Sequence, residues 1–529
     1  MREFEGRPSR RSLLRITAGL GAGVALGGAL TACGDAGGSG PSTDGAGSAT
    51  PGPKRGGRLR AAFIGGSNET DNVLMAANTP IDYVRARVVY DELCVVGPEG
   101  RVQMQLAESV EPSADGKEWT IRVRDGVTFH DGRELTAADV LFSLRTYAED
   151  QANQGPLLVD ADLAAGRRVD KLTCTIPMRR AHGFFDLVLT QGFFVIPDGT
   201  TDFTKAPGSG PFVLKEHRVG QGAVLERNPN YWSDKGPYLD ELELVSIADG
   251  EARLNALKAG QVEYAASISL VAGQTERANK AVQLLTPPKW EWPNFGAMLK
   301  RNQDPFTDAR VVQALKYAVD REQMVERVTL GFGEVGNDLF GKHLPHYAED
   351  LPQRAYDPDR AKALLRKAGV DRLSLSLRTS DYEYGLTEGA VVLAEQVKRT
   401  GIDISVDKVP AADFFADPKV FIGAHFQSAN RKPRPLPLDV LFFYGSDALL
   451  PFTGVGGDPV DGLVDAVRSA LTEEQRAAAV GDMQHYLYDK GGDLVWAKAP
   501  VLAAATPQVR GVQSLGYPTF PSFRDAYLA

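Results

Sequence analysis

The sequence predicts a mixed α/β fold of α+β character, in a chain long enough for two or three domains. Strand-like and helix-like patterns are interleaved irregularly along the 529 residues rather than segregated. Hydrophobic residues make up 43% of the chain and charged residues 24%, an ordinary globular balance. No internal repeat and no heptad run interrupts this pattern.

The elements follow from local chemistry. Arg58 to Ile64 alternates and then turns continuously apolar, which predicts a strand. Trp119 to Arg124 alternates and ends at the turn pair Asp125-Gly126. Thr136 to Asp139 has capping-box spacing ahead of Val140, Leu141 and Leu144, which predicts a helix start. Val224 to Arg227 predicts a further strand. Glu251 to Leu257 predicts a helix that stops at Gly260. Val311, Leu315, Ala318 and Val319 form a helical stripe that begins near Asp308. Asp357-Pro358 supplies an N-cap and a first-position proline for a helix closed by Gly369. Thr472 with Gln475 is a second capping box, and Ile402 to Val409 alternates as a strand.

The first residues set the compartment. Arg10-Arg11 sits in a basic flank, followed by a weakly apolar stretch from Ile16 to Leu30. That stretch is shorter than the about 20 apolar residues a spanning helix needs, so residues 1–32 read as an export signal. The arginine pair fits the twin-arginine route, and an ordinary secretory n-region is the alternative. Leu30-Thr31-Ala32-Cys33 resembles a lipobox, with Cys33 as the acylated residue. Residues 34–57 are almost entirely Gly, Ser, Ala, Thr, Pro and Asp. With nothing to bury, 33–57 is expected to be a lipid-anchored flexible linker spanning roughly 25–30 Å. The expected location is the outer face of the cytoplasmic membrane, on its periplasmic or extracellular side.

The leader holds five Arg and two Glu, which leaves 54 basic against 66 acidic side chains in the mature chain, net −12. That balance disfavours a nucleic-acid partner. Cys94 and Cys174 could pair in an oxidising compartment. Both sit in strand-like apolar runs, so two buried thiols are expected.

Several short matches lack the context their chemistry needs. Gly331 to Gly336 fits a dinucleotide fingerprint but follows a helix, not a strand. Gly336 to Lys342 approaches a P-loop, with His343 where the Mg²⁺-binding hydroxyl belongs. Ser405-Val406-Asp407-Lys408 lies in a strand pattern rather than at a helix start. His343 and His346 flank a proline and fit a surface loop better than a metal site. No metal, cofactor or catalytic residue is therefore expected, and the chain does not read as an enzyme.

One ordered set of blocks is far more specific. Leu106 to Glu111, Ser113 to Gly116, Val123 to Gly132, Leu135 to Val140 and Phe142 to Leu144 run without interruption. Gly208 to Phe212, Leu225 to Trp232, Asp304 to Phe306, Asp308 to Val311, Ala314 to Arg321, Tyr356 to Asp359 and Ala361 to Leu365 follow in order. From about residue 57 onward the chain resembles the family 5 extracellular solute-binding proteins, the dipeptide, oligopeptide and nickel receptors of ABC importers. The physical reading of these blocks is largely structural: Tyr231-Trp232, for example, fits core better than a ligand platform.

The resemblance implies a two-lobe periplasmic-binding-protein-like fold with an extra subdomain in lobe one. Lobe one would comprise 58–85, 208–297 and 498–529, the subdomain 86–207, and lobe two 298–497. It also implies a monomer that captures a peptide or similar small solute between the lobes and delivers it to permease subunits. The alternatives are a non-peptide ligand (an oligosaccharide, opine-like compound or nickel chelate) or an exported cofactor enzyme. Peptide-binding members commonly carry an Asp for the peptide ammonium in a Trp-x-Ala-Asp segment. The counterpart here runs from Phe426 through Asn430 and Arg431 to Pro433, with Asn430 at the Asp position and Asp439 as a substitute. Arg431, Lys432 and Arg434 could meet an anionic group or form a solvated loop or permease contact. Trp290, Trp292 and Asn294 fit either a cleft wall or hinge packing. Asn68, Asp71 and Tyr384 sit at loop positions, where solvated loop residues are the expected reading and pocket residues the alternative.

Overall fold

The apolar run that opens the mature body forms the strand Arg58–Phe63, buried from Ala61 onward. It pairs in parallel with Glu241–Ser246 on one side and Tyr264–Ile268 on the other. Antiparallel strands complete a seven-stranded sheet, with Gln283–Leu285 and Phe212–Arg218 at its edges. A computed structural model describes residues 52–149, 154–514 and 520–529. Cys33, Arg10 and Arg11 lie outside the described residues, as does most of the linker.

A second sheet of six strands carries the other lobe. Its centre is Asn294–Leu299, antiparallel to both Phe426–Arg431 and Asp493–Lys498. Leu373–Thr379 then runs parallel to Ile402–Lys408 and to Phe426–Arg431. Asn294–Leu299 and Asp493–Lys498 are buried along their whole length, as strands covered on both faces must be. Helices Ala309–Tyr317 and Leu386–Val397 cover one face, where Phe295, Leu315, Leu393 and Trp496 share a core. The chain passes between the two sheets only twice in this region, through 286–293 and 499–501. A four-stranded antiparallel sheet, Ala107–Pro112, Glu118–Val123, Thr173–Pro177 and Arg167–Arg168, forms the subdomain.

The local signals act as expected. At the start of the helix Ala137–Glu149, Thr136 donates its N–H and its hydroxyl to the Asp139 carboxylate, and Thr136 Oγ1 accepts from the Ala138 N–H. Asp308, Asp357 and Thr472 each accept a backbone N–H at their helix starts, and Thr472 with Gln475 forms the reciprocal box. Gly260 and Gly369 close their helices at positive φ. Gly331 to Gly336 follows the helix Arg321–Val328 and enters the two-residue strand Glu334–Val335, so it never opens a helix. Cys94 and Cys174 are buried free thiols.

The family block Tyr231-Trp232 proves to serve a buried charge. Asp91 accepts hydrogen bonds from Tyr231 Oη at 3.1 Å, Trp232 Nε1 at 3.0 Å and Ser209 Oγ at 3.1 Å. All three donors are neutral, so burial dominates and pushes the Asp91 carboxyl from 3.8 up to about 6. A raised folded-state value means stability that is fully present below pH 3.8 and lost as pH rises through about 6. Asp91→Asn should remove this component. Relative to wild type, the variant should be more stable at pH 7.5 than at pH 4 by on the order of 1–3 kcal/mol, read from urea unfolding at both pH values.

The subdomain meets lobe two at a close backbone approach. Gly183 donates its N–H to the Arg468 carbonyl at 2.7 Å, and Asp160 receives Arg180 at 2.6 Å and Arg468 at 3.2 Å. A Cβ on Gly183 would lie 1.9 Å from the Ala470 carbonyl oxygen. Gly183→Ala should therefore lower stability by about 1–3 kcal/mol through forced separation of these backbones, measured by thermal unfolding, with increased proteolysis near residue 183.

Candidate ligand-binding site

In sheets with parallel strands, ligands bind at the carboxyl ends of the strands. In lobe two, Leu373–Thr379 and Phe426–Arg431 run side by side, with Arg378 opposite Gln427. Both therefore open at the same edge. The loop 380–385 leaves the first strand there, and Lys432 to Pro435 leaves the second. Two contacts place this edge against lobe one. Tyr384 packs into an apolar cluster with Ile247, Leu254 and Leu284. Lys432 Nζ lies 4.9 Å from the centre of the Phe520 ring, and Phe520 in turn stacks on Tyr83 and accepts from Arg87.

Arg431 is committed to structure. Its guanidinium lies between the rings of Phe340 and Phe443, at 3.5 and 3.6 Å from their centres. It pairs with Asp439 at 2.5 Å and Asp493 at 3.7 Å. Tyr444 Oη donates to Asp493 at 2.7 Å. Burial raises Asp493, while Arg431 and Tyr444 oppose that shift. Arg431 and Asp439 thus share one buried network. Arg434 is similarly placed, over Phe442 at 3.8 Å and bonded to Gln191 at 3.3 Å.

The other candidates fall into distinct environments. Phe426 is 1% exposed and packs edge-on against Phe306 in the lobe-two core. Asn294 is buried and its Nδ2 donates to the Arg431 carbonyl at 3.2 Å. Trp290 and Trp292 lie in the first crossing segment, both buried, with Trp292 Nε1 donating to the Pro287 carbonyl at 2.9 Å. These contacts are those of hinge packing. Tyr384 Oη donates to the Val328 carbonyl at 3.0 Å. Asn430 remains half-buried on the strand edge, and its Oδ1 has no hydrogen-bond partner among the described residues.

Asn68 is exposed, and Asp71 belongs to a separate charged cluster on lobe one. His217 Nδ1 is 2.6 Å from Asp71, and its Nε2 is 3.2 Å from Glu69. The ligating atoms of Glu69, Asp82 and His217 lie within 4.8 Å of one another, a spacing compatible with a metal. Arg85 already supplies the cation there, 2.7 Å from His217 Nε2 and 2.9 Å from Asp82. A cavity of about 300 Å³ adjoins this cluster, lined by Asp71, Arg85, Tyr90, His130 and Lys205 among others.

Sequence reasoning missed Glu383. It is half-buried in the loop 380–385, within the field of Lys432. Burial pushes its carboxyl above the usual carboxylate range, and the charge of Lys432 opposes that shift. Its only sequence signal was the loop position it shares with Tyr384.

These features define a two-lobe α/β fold of the kind found in periplasmic binding proteins. Residues 101–434 match the family described as bacterial extracellular solute-binding proteins, family 5 Middle, and the chain belongs to that family. Its relatives are solute-binding proteins, not enzymes. It is 28% identical over 302 residues to the nickel-binding periplasmic protein of Escherichia coli (strain K12), covering 55% of this chain and 57% of that protein. It is 27% identical over 394 residues to the oligopeptide-binding protein AppA of Bacillus subtilis (strain 168), covering 68% and 70%. The chain thus spans little more than half the length of the first relative. Among solved structures, the DppA periplasmic binding protein of Helicobacter pylori in complex with peptide STSA superposes with a TM-score of 0.76. That pair is 19% identical and covers 90% of this chain and 98% of the other, a likeness of fold.

Removing Arg431 should expose how much depends on it. Arg431→Met leaves Asp439 and Asp493 without their cation in a buried site, a loss of about 3–5 kcal/mol. Urea unfolding should register that fall, and adding Asp439→Asn should recover part of it.

Proposed function

We propose that this chain is the membrane-anchored substrate-binding protein of an ABC importer, capturing peptides or a similar small solute and delivering it to the permease. The observation that carries the reading is the family match combined with two sheet-bearing lobes joined by short crossings. The carboxyl-end edge of the lobe-two strands faces lobe one across that junction. Such a geometry captures a solute by closing over it, because contacts made to both lobes favour the closed state. The division into lobe one, subdomain and lobe two follows the boundaries given by the sequence. Cys33 holds the mature chain at the outer membrane face after export through Arg10-Arg11, and 34–57 gives the body its reach. The chain acts as a monomer, and the permease subunits are its partners.

A second reading keeps the fold and changes the ligand to an oligosaccharide, an opine-like compound or a nickel chelate. Asn430 favours it, since a neutral amide replaces the carboxylate that would pair with a peptide ammonium, and charge-assisted bonds are about twice as strong as neutral ones. The nickel-binding and oligopeptide-binding names of the two relatives support a family able to take either class.

Two measurements test these readings. Thermal-shift screening of the mature chain against peptides, sugars and metal chelates should find one class that stabilises it by about 2.7 kcal/mol at a hundredfold excess over Kd. Peptides winning that screen would reject the second reading, and turnover of a solute without stabilisation would reject both. Metabolic labelling with a palmitate analogue should mark the wild type and not Cys33→Ala; equal labelling would remove the anchor.

A further inference from the structure

The mature chain is acidic as a whole, yet one end of lobe two is basic. Residues 358–372 and 398–401 carry seven basic side chains against two acidic ones. The two stretches meet in the fold. The helix Pro358–Lys367 buries Ala361 and Leu365 and packs on the turn Lys398–Thr400. The Leu373 N–H donates to the Gly401 carbonyl at 3.1 Å, which sets Arg372 beside that turn. Arg366, Lys367, Arg372, Lys398 and Arg399 are all exposed. Lys362 pairs with Asp359 at 3.4 Å, whereas among the described residues the first four of those five make no ion pair.

Helix ends account for part of this charge. Pro358–Lys367 and Leu386–Val397 both finish here, and the carboxyl end of a helix favours cations. Two such ends offer about one negative charge between them, well short of the surplus of five.

The position of the cluster narrows its use. Leu373–Thr379 and Ile402–Lys408 begin side by side, with Leu373 opposite Ile402. The cluster therefore lies at their amino ends, away from the carboxyl-end edge that meets lobe one. Lobe one is arranged in the same way. Ile247, directly after Glu241–Ser246, shares the apolar cluster with Tyr384 of lobe two. Arg58, opposite Glu241, opens the strand at the other end. The tether to Cys33 and the basic cluster thus leave the body at opposite poles.

Resting on the receptor reading above and its lipid anchor, we propose that this basic pole of lobe two docks on the anionic phospholipid headgroups of the membrane that holds the anchor. The tether keeps the body at an effective concentration on the order of millimolar at that surface. Several exposed cations then suffice without a fitted pocket. A net-acidic body is repelled by an anionic surface on its other faces, so this pole is the one it presents. Held at both poles, the receptor lies with its two lobes side by side along the membrane. The cleft between them stays within reach of a permease.

The test uses the unacylated mature chain, so that a lipid on Cys33 plays no part. Flotation is compared on vesicles of phosphatidylcholine alone and of phosphatidylcholine with about one third phosphatidylglycerol. The chain should bind the second and not the first. Raising salt from about 50 to about 500 mM should weaken that binding about tenfold or more. The combined variant Arg366→Gln, Lys367→Gln, Arg372→Gln and Lys398→Gln should lose it, with an unchanged melting temperature because all four side chains are exposed. Removing four exposed cations from the subdomain instead, Lys117→Gln, Arg122→Gln, Arg133→Gln and Arg168→Gln, should leave it in place. No binding to phosphatidylglycerol vesicles at low salt, retention by the lobe-two variant, or equal loss in both variants overturns the assignment. Solute binding by thermal shift should be equal in the wild type and the lobe-two variant; its loss in that variant would place these cations in capture and also overturn the assignment. A wild type that binds no solute of any class rejects the receptor reading, a result the vesicle measurements do not share.

Discussion

The second lobe is organised around one buried cation. Arg431 ends a central strand, and its guanidinium is clamped between Phe340 and Phe443 while reaching Asp439 and Asp493. Those partners come from three separate stretches of chain: the loop after Glu334–Val335, the helix Leu436–Phe443, and the return strand Asp493–Lys498. The strand, the helix and the second lobe crossing are thereby tied to a single point. Stacking on two aromatic faces suits a planar, weakly hydrated guanidinium, and a lysine could not reproduce it. A buried pair is costly to desolvate, which is tolerable here because the rings and Tyr444 close the remaining surfaces.

That commitment shapes the ligand edge. With Arg431 turned inward, Lys432 and Tyr384 are the groups at this edge that meet lobe one. A strand alternates its faces, so Asn430 points away from the Arg431 network and toward the side that holds Phe295 and the start of the helix Leu386–Val397. The network thus fixes the register on which the candidate site depends. The basic cluster Arg431, Lys432 and Arg434 looks like a patch in sequence. In the fold it divides, with two arginines spent on aromatic and polar packing and one lysine left at the junction.

What was legible in the sequence was what local chemistry decides. The caps at Asp308, Asp357 and Thr472 and the strand at Arg58 each depend on residues a few positions apart. The family blocks carried the two-lobe architecture, which no local pattern states. What was not legible depends on long separations. Asp91 meets Ser209, Tyr231 and Trp232 more than a hundred residues away, and Arg431 meets Phe340 and Asp493 at separations of 91 and 62 residues.

Arg431 and Lys432 put neighbouring cations to different uses. Arg431 has its counter-charges within lobe two, in Asp439 and Asp493. Lys432 instead reaches the Phe520 ring of lobe one. A contact of the first kind holds a lobe together by itself, whereas one of the second kind is made or lost as the lobes move, and so belongs to the closure equilibrium.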